Sequence, residues 1–459
     1  MMKHNALTRE HRAFLEGLFP GETLVAPEET LVFATDAGRL SSGCFPLAVV
    51  RPRGTEEVRE LFRWADAERM PLYIRGRGTN LVGDCIPDPP GMVVSTTHMN
   101  AILDISGEDF VAEVEPGVNT EEFQIRCEAK NLFYPPDPAS QKATTLGGNV
   151  ATAAGGMRAL KYGVTRDFVL GMDLVLPGGE LLTFGGRTHK NVVGLDIPRL
   201  VTGSEGTLGF ISRLVMKLLP KPEATASLLA GFPSLAAAMD AVTGVFAAGI
   251  LPTALEFMGE TVLFCMRSLA PVPWPESVAA CLLFRLDGSE KALPLELERL
   301  SRALPGGTWS LRGVGPEEEE PLWAIRRRIN PSAFVLGPDK ILDDVTVPRG
   351  SILRAVQAME SIAREHGTKL LTFGHVGDGN IHVNLMYDAE NRAEHDRAYA
   401  AKLAVNKAVI AMGGTMSGEH GIGSVKNISL QLGPGELALM RRVKAAFDPN
   451  GIMNPGKAY

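Results

Sequence analysis

Three glycine-dense segments lie between residues 73 and 212: YIRGRGTNLVGD (73–84), PPDPASQKATTLGGNVATAAGG (135–156) and TGSEGTLGFIS (202–212). Consecutive glycines let backbone N–H groups converge on a phosphate with no Cβ in the way. Taken alone, the first segment reads more readily as a plain turn after a strand than as a ligand loop. It is not a dinucleotide fingerprint, because a second strand-like run follows where a helix should begin. Nor is it a P-loop, since no Gly-Lys-Ser/Thr follows. Three such segments together are harder to assign to turns. They suit a long, phosphate-bearing cofactor in an extended groove between two subdomains.

Around these segments the first half of the chain reads as strands between Gly- and Pro-rich turns: PLAVVRP, MPLYIRG, GMVVST, FVAEVEPG, FVLGMDLVLPGG and GFISRLVMKLLPKP. Two helices, TEEVRELFRWADAE and TEEFQIRCEAKN, are each expected to open on a threonine cap followed by acidic residues. Leu219-Pro220-Lys221-Pro222 marks a boundary. Beyond it, Ala/Leu-rich helices mix with short strands. The acidic run Glu317–Glu320 reads as the N-terminal flank of the helix LWAIRRRIN, where anions meet the positive end of the helix dipole. At 459 residues, two or three domains are expected. A net charge of −7 leaves no basic stripe for nucleic acid. The most apolar stretch, AVTGVFAAGILPTAL, is broken by Pro252 and falls short of the roughly twenty apolar residues that span a bilayer. No signal-peptide pattern opens the chain, so a cytoplasmic location is expected, with peripheral attachment through a partner left open. The five cysteines form no C-x-x-C, which argues against a thiolate zinc site or an iron–sulfur cluster.

Five of the nine histidines fall between residues 366 and 420. In GHVGDGNIHVNL (374–385), LLTFG and IHVNLM read as strands joined at Asp378-Gly379. That hairpin would fold His375 back towards His382, and period-two alternation puts His382 and Asn384 on one face. The bland reading is a hairpin with two half-buried histidines; the sharper one is a ligand pair.

Arg75-Gly76-x-Gly78-Thr79-x-Leu81-x-Gly83, Thr145-Leu146-Gly147-Gly148-Asn149, Lys161-Tyr162-Gly163 and Gly203-Ser204-Glu205-Gly206-Thr207-Leu208-Gly209 resemble the vanillyl-alcohol-oxidase (VAO) type of FAD-binding domain. With GHVGDGNIHVN, SGEHGIG and NPGK, the chain from about residue 20 to its end resembles the FAD-linked 2-hydroxyacid dehydrogenases. That group holds D-lactate dehydrogenases and the flavoprotein subunit of bacterial glycolate oxidase. The resemblance implies an α+β chain: a helical segment at 1–44, a two-subdomain VAO/PCMH-type FAD-binding domain at 45–222, and an α+β substrate domain with an antiparallel sheet at 223–459.

For the cofactor, the resemblance implies that backbone N–H groups of Gly76, Arg77, Gly78, Thr79 and Asn80 hold the pyrophosphate of FAD, with Arg75 and Gly83 in the same loop. Arg77 stands where a glycine is usual, and either sits beside the pyrophosphate or faces solvent. Gly147, Gly148, Thr152 and Gly156 would line the isoalloxazine and ribityl chain, with Pro136, Thr145, Asn149 and Tyr162 nearby. Glu205, Gly206, Gly209 and Ile211 would serve the adenosine side, and Asn454 would return the C-terminus to the flavin edge. No histidine occurs between His11 and His98, so the FAD is expected to be non-covalent.

For the chemistry, it implies that His375, His382 and Glu419 hold a divalent zinc, manganese or iron ion, a set that leaves open positions for a substrate. His420 would be the catalytic base. Arg326 would clamp the substrate carboxylate, and Asn384 would hydrogen-bond the substrate. Arg327 and Arg328 read as solvated, and Lys340 as a weaker second cation. Relatives acting on dicarboxylates carry a lysine where Leu342 stands, so a small monocarboxylate, D-lactate going to pyruvate, is favoured. The alternatives are the flavoprotein subunit of glycolate oxidase, or an electron-transfer flavoprotein subunit without substrate chemistry. Electrons would leave to an iron–sulfur subunit, an electron-transfer flavoprotein or a quinone, and a homodimer is allowed.

Overall fold

The computed structural model describes residues 6–38 and 40–459. The chain divides into two units, Met1–Gly156 with Val164–Lys221 and Glu419–Tyr459, and Met157–Gly163 with Pro222–Gly418. The last forty or so residues, contiguous in sequence with the second unit, therefore fold into the first.

In the first unit, the helix Thr55–Glu68 buries Val58, Leu61, Phe62 and Ala65. Their i, i+3, i+4, i+7 spacing makes one apolar stripe. The stripe meets a four-stranded sheet in the order Thr23–Leu24, Ala48–Val50, Met92–Ser95, Leu72–Arg75, with the last three strands parallel. A five-stranded antiparallel sheet follows, in the order Ile102–Ser106, Val111–Val114, Phe210–Lys217, Val169–Val175, Leu181–Gly185. Neither expected threonine cap forms. The first helix starts after Gly54, which caps through no side chain. In the helix Thr120–Glu128 the Asn119 side chain accepts from the Glu122 amide. An Asn carboxamide reaches the third amide of a helix well, and the Thr120 hydroxyl is spent on Asn149 Nδ2 at 2.9 Å.

In the second unit, seven antiparallel strands run in the order Trp309–Val314, Ala224–Phe232, Ala280–Gly288, Ala254–Met258, Lys369–His375, Asn380–Tyr387, Asp339–Thr346. Both faces are covered, and the central strands Ala224–Phe232, Ala254–Met258 and Ala280–Gly288 read as near-continuous apolar runs. Leu255, Phe257, Ile381, Val383 and Leu385 pack under the helices Leu235–Ala247, Leu293–Ala303, Ile352–Glu365 and Arg392–Ala411. Ala254, Met258, Leu371, Phe373 and Met386 face the other way, against Val262, Leu263, Trp323 and Ile329. Each fully buried side chain of this size contributes roughly 1.5–3 kcal/mol.

Two local expectations change. Val376, Gly377, Asp378 and Gly379 separate the hairpin strands, a longer connection than the two-residue turn read from Asp378-Gly379. Gly377 sits where a Cβ would come within 2.3 Å of Leu160 Cδ2. The acidic run is not a flank but the start of the helix Pro316–Arg327. Glu319 is buried there, accepting from Thr225 and Ser227 and pairing with Arg285, so hydrogen bonds and an ion pair add to the dipole as its reason. Among the described residues, no helix is long and apolar enough to cross a membrane.

Candidate active site

In the first unit the three glycine segments converge on one cavity of about 370 Å³. Its walls include Gly76, Arg77, Gly78, Thr79 and Asn80 from the first segment, and Thr145, Gly147, Gly148, Asn149 and Thr152 from the second. Glu205, Gly206, Gly209 and Ile211 come from the third. Glu419 and His420 line the same cavity. The glycines are required by close approach: a Cβ on Gly76 would lie 2.5 Å from Thr145 Oγ1, one on Gly147 2.6 Å from Pro116 Cβ, and one on Gly155 2.7 Å from Glu419 Oε2. The N–H groups of Arg77, Gly78, Thr79 and Asn80 donate to no acceptor among the described residues. Four consecutive amides facing a cavity are donors waiting for an anion. They fit a diphosphate.

Other predicted cofactor residues hold the loops instead of lining the cavity. Arg75 is buried, its guanidinium donating to the Thr35 and Val32 carbonyls and to Cys85 Sγ. Gly78 has φ +65°, a left-handed backbone that favours glycine, and that guanidinium passes close to where its Cβ would be. The Gly83 amide donates to Asp36 Oδ2 at 2.8 Å, and the Pro136 carbonyl accepts from Gln124 at 2.8 Å. A Cβ on Gly156 would meet the Asp137 carbonyl at 2.6 Å. Asn454 is a tie between segments: it accepts from the Ile74 amide at 2.9 Å and donates to the carbonyls of Asp84 and Glu205. Tyr162 belongs to the second unit, where its hydroxyl donates to Asp287 Oδ2 at 2.9 Å.

Glu205 reaches the SGEHGIG loop. Its carboxylate accepts from the amides of Ile422 and Gly423, both at 2.7 Å, two and three residues after His420. Burial pushes its carboxyl up. Burial, and then the charge of Glu205, push neighbouring Asp84 up to about 7.

In the second unit, period-two alternation puts Glu256, Phe373, His375, His382 and Asn384 on one sheet face. Glu256 stands directly opposite His375 in the register, and Phe373 opposite His382. The helix Pro316–Arg327 packs over this face and supplies Arg326. His375 and His382 approach Nε2 to Nε2 at 3.3 Å. His375 Nδ1 lies 2.5 Å from Glu256 Oε1, which makes Nδ1 the donor and, in the neutral imidazole, leaves Nε2 as the acceptor nitrogen. Glu256 is fully buried, and its other oxygen accepts from Arg326 Nε at 2.6 Å. Burial alone would raise its pKa; His375 and Arg326 outweigh it and hold the carboxyl down to about 2.

Arg326 lies over the Phe373 ring at 4.9 Å, and its terminal nitrogens have no protein acceptor among the described residues. Asn384 donates to Asn330, which also accepts from Lys340, but its Oδ1 is buried without a partner. Leu342 pairs opposite Asn384. Two facing imidazole nitrogens, one tautomer fixed by a carboxylate, and an orphaned amide oxygen are donors that fit a divalent cation and a polar ligand. Arg327 pairs with Glu320 at the surface.

Residues 221–458 match the model for the C-terminal domain of FAD linked oxidases, and residues 46–185 match the FAD binding domain. The chain belongs to the FAD-linked oxidase family. It is 40% identical to the glycolate oxidase subunit GlcD of Bacillus subtilis over 90% of this chain and 89% of that one. It is 34% identical to a D-lactate dehydrogenase of Anaerostipes hadrus over 99% and 98% of the two chains. A D-2-hydroxyglutarate dehydrogenase of Stutzerimonas stutzeri is also 34% identical, over 95% and 97%. The solved structure of p-cresol methylhydroxylase superposes with a TM-score of 0.78 at 16% identity, over 99% of this chain and 98% of that one. The α+β architecture with a VAO/PCMH-type FAD-binding domain, inferred from the motifs, is thereby shown.

Proposed function

We propose that this oxidase takes a small D-2-hydroxy acid, D-lactate by preference, to the 2-oxo acid, using non-covalent FAD and a divalent ion held by His375, His382 and Glu419. The ion, when bound by these residues, would supply Lewis-acid polarisation of the substrate hydroxyl, and the flavin would supply the hydride acceptor. The observation that carries the reading is the single sheet face on which Glu256 fixes both the His375 imidazole and the Arg326 guanidinium. Arg326 orients the substrate carboxylate through its terminal nitrogens. His420, on the wall of the cofactor cavity, accepts the hydroxyl proton. Asn384 offers its amide to the substrate, and apolar Leu342 opposite it gives nothing to a second carboxylate. An electron carrier without substrate chemistry has no use for this set.

The 40% identity to a glycolate oxidase subunit favours glycolate as a second reading, along with an electron-accepting partner subunit. Anaerobic mixing with D-lactate, glycolate, L-lactate and D-2-hydroxyglutarate, followed at the flavin absorbance, separates the readings. D-lactate should reduce the flavin with the highest kcat/KM, and L-lactate poorly, because its Cα hydrogen would face away from the flavin. A clear preference for glycolate supports the second reading, and one for the dicarboxylate overturns both.

A further inference from the structure

We infer that Glu256 is the positioning residue that sets both the tautomer of His375 and the aim of Arg326, a role that rests on the metal-and-carboxylate reading above. Its strand pairs with Lys369–His375 in a register that puts Glu256 directly across from His375. One oxygen takes the imidazole Nδ1 and the other the guanidinium Nε. Each contact turns the working end of its partner away from the carboxylate: Nε2 towards His382, and the terminal guanidinium nitrogens towards no protein acceptor among the described residues. A carboxylate buried only for stability sits poorly among Ala254, Met258, Leu371 and Phe373, since apolar side chains of similar volume serve a core as well or better. A carboxylate that fixes a ligand imidazole also raises its basicity, and losing such a partner weakens metal binding by about ten- to a hundredfold.

Glu256→Gln is nearly isosteric but replaces one acceptor with a donor. If the amide nitrogen faces His375, Nδ1 must become the acceptor and the proton must move to Nε2, the nitrogen needed for a cation. If it faces Arg326, two donors meet. The test compares the wild type and E256Q in three ways. Histidine ¹⁵N NMR of the metal-free proteins reads the His375 tautomer. Competition with a chromophoric chelator reads zinc affinity. Stopped-flow flavin reduction by D-lactate separates KM from kcat. E256Q should bind zinc about ten- to a hundredfold more weakly, show Nε2–H at His375 or a raised KM for D-lactate, and keep its FAD. Wild-type tautomer, zinc affinity and KM together in E256Q would overturn the inference. A wild type that takes up no zinc, manganese or iron would instead sink the metal reading, and this inference with it. Should E256Q not fold, Glu256→Asp keeps both acceptors but withdraws them by one methylene. Weakened zinc or a raised KM then supports the role, and unchanged values for both overturn it.

Discussion

Replacing Arg326 with alanine should lower kcat/KM for D-lactate mainly through KM. Arg326 Nε is engaged by Glu256 at 2.6 Å and the group stacks on Phe373, so the guanidinium is held before substrate arrives. A charge-assisted hydrogen bond contributes on the order of 1.5–3 kcal/mol. At about 1.4 kcal/mol per tenfold, that corresponds to roughly tenfold to a little over a hundredfold in kcat/KM. The carboxylate is bound alike in ground and transition states, which places the loss in KM. The substitution also leaves Glu256, fully buried, with His375 as its one remaining side-chain partner among the described residues. Removing one member of a buried ion pair typically costs about 3–5 kcal/mol, so the variant should also melt at a lower temperature. Stopped-flow reduction of the flavin by D-lactate and by its methyl ester isolates the contact, because the ester carries no carboxylate charge and should lose far less. Unchanged kinetics with D-lactate, or an equal loss with the ester, would refute the clamp.

Acid precipitation should leave essentially all flavin in the supernatant as FAD, and flavin retained in the pellet would contradict non-covalent binding. His420→Asn should slow flavin reduction by about two to four orders of magnitude, the usual span for a general base. Its metal content should stay near that of the wild type; metal loss in that variant would make His420 a ligand. In the FAD-free protein, Asp84 has its pKa raised to about 7, so the folded state holds the proton above the usual 3.8 of an unfolded aspartate. That favourable contribution is complete below the unfolded value and lost as pH rises through about 7. The wild type should therefore lose more melting temperature between pH 5 and pH 8 than Asp84→Asn, and parallel curves would contradict it.

Local pattern carried much of this far. GMVVST and GFISRLVMKLLPKP read as strands because β-branched runs end in turn residues, and Met92–Ser95 and Phe210–Lys217 are strands. The shared face of His382 and Asn384 follows from a period of two. What stayed hidden depends on register between distant segments. Glu256 looks like a stray polar residue in ALEFM until the strand from 254 to 258 is paired with a partner more than a hundred residues away. Arg75 looks like a phosphate ligand in RGRG because nothing local shows that the carbonyls of Val32 and Thr35 take its guanidinium. Glu205 sits in a glycine-rich loop, yet its carboxylate holds amides more than two hundred positions later. The helix caps failed differently: Asn119 and Thr120 both suit the start of a helix, and a tertiary hydrogen bond to Asn149 decides between them.

The most direct test of metal-assisted hydroxy-acid oxidation is anaerobic mixing of chelator-treated, FAD-loaded protein with D-lactate. The cofactor cavity and the histidine pair belong to different units, so stripping the ion should leave FAD in place. The flavin should then stay oxidised, and adding back zinc, manganese or iron should restore its bleaching. Full-rate reduction of the metal-free protein would contradict metal-assisted oxidation.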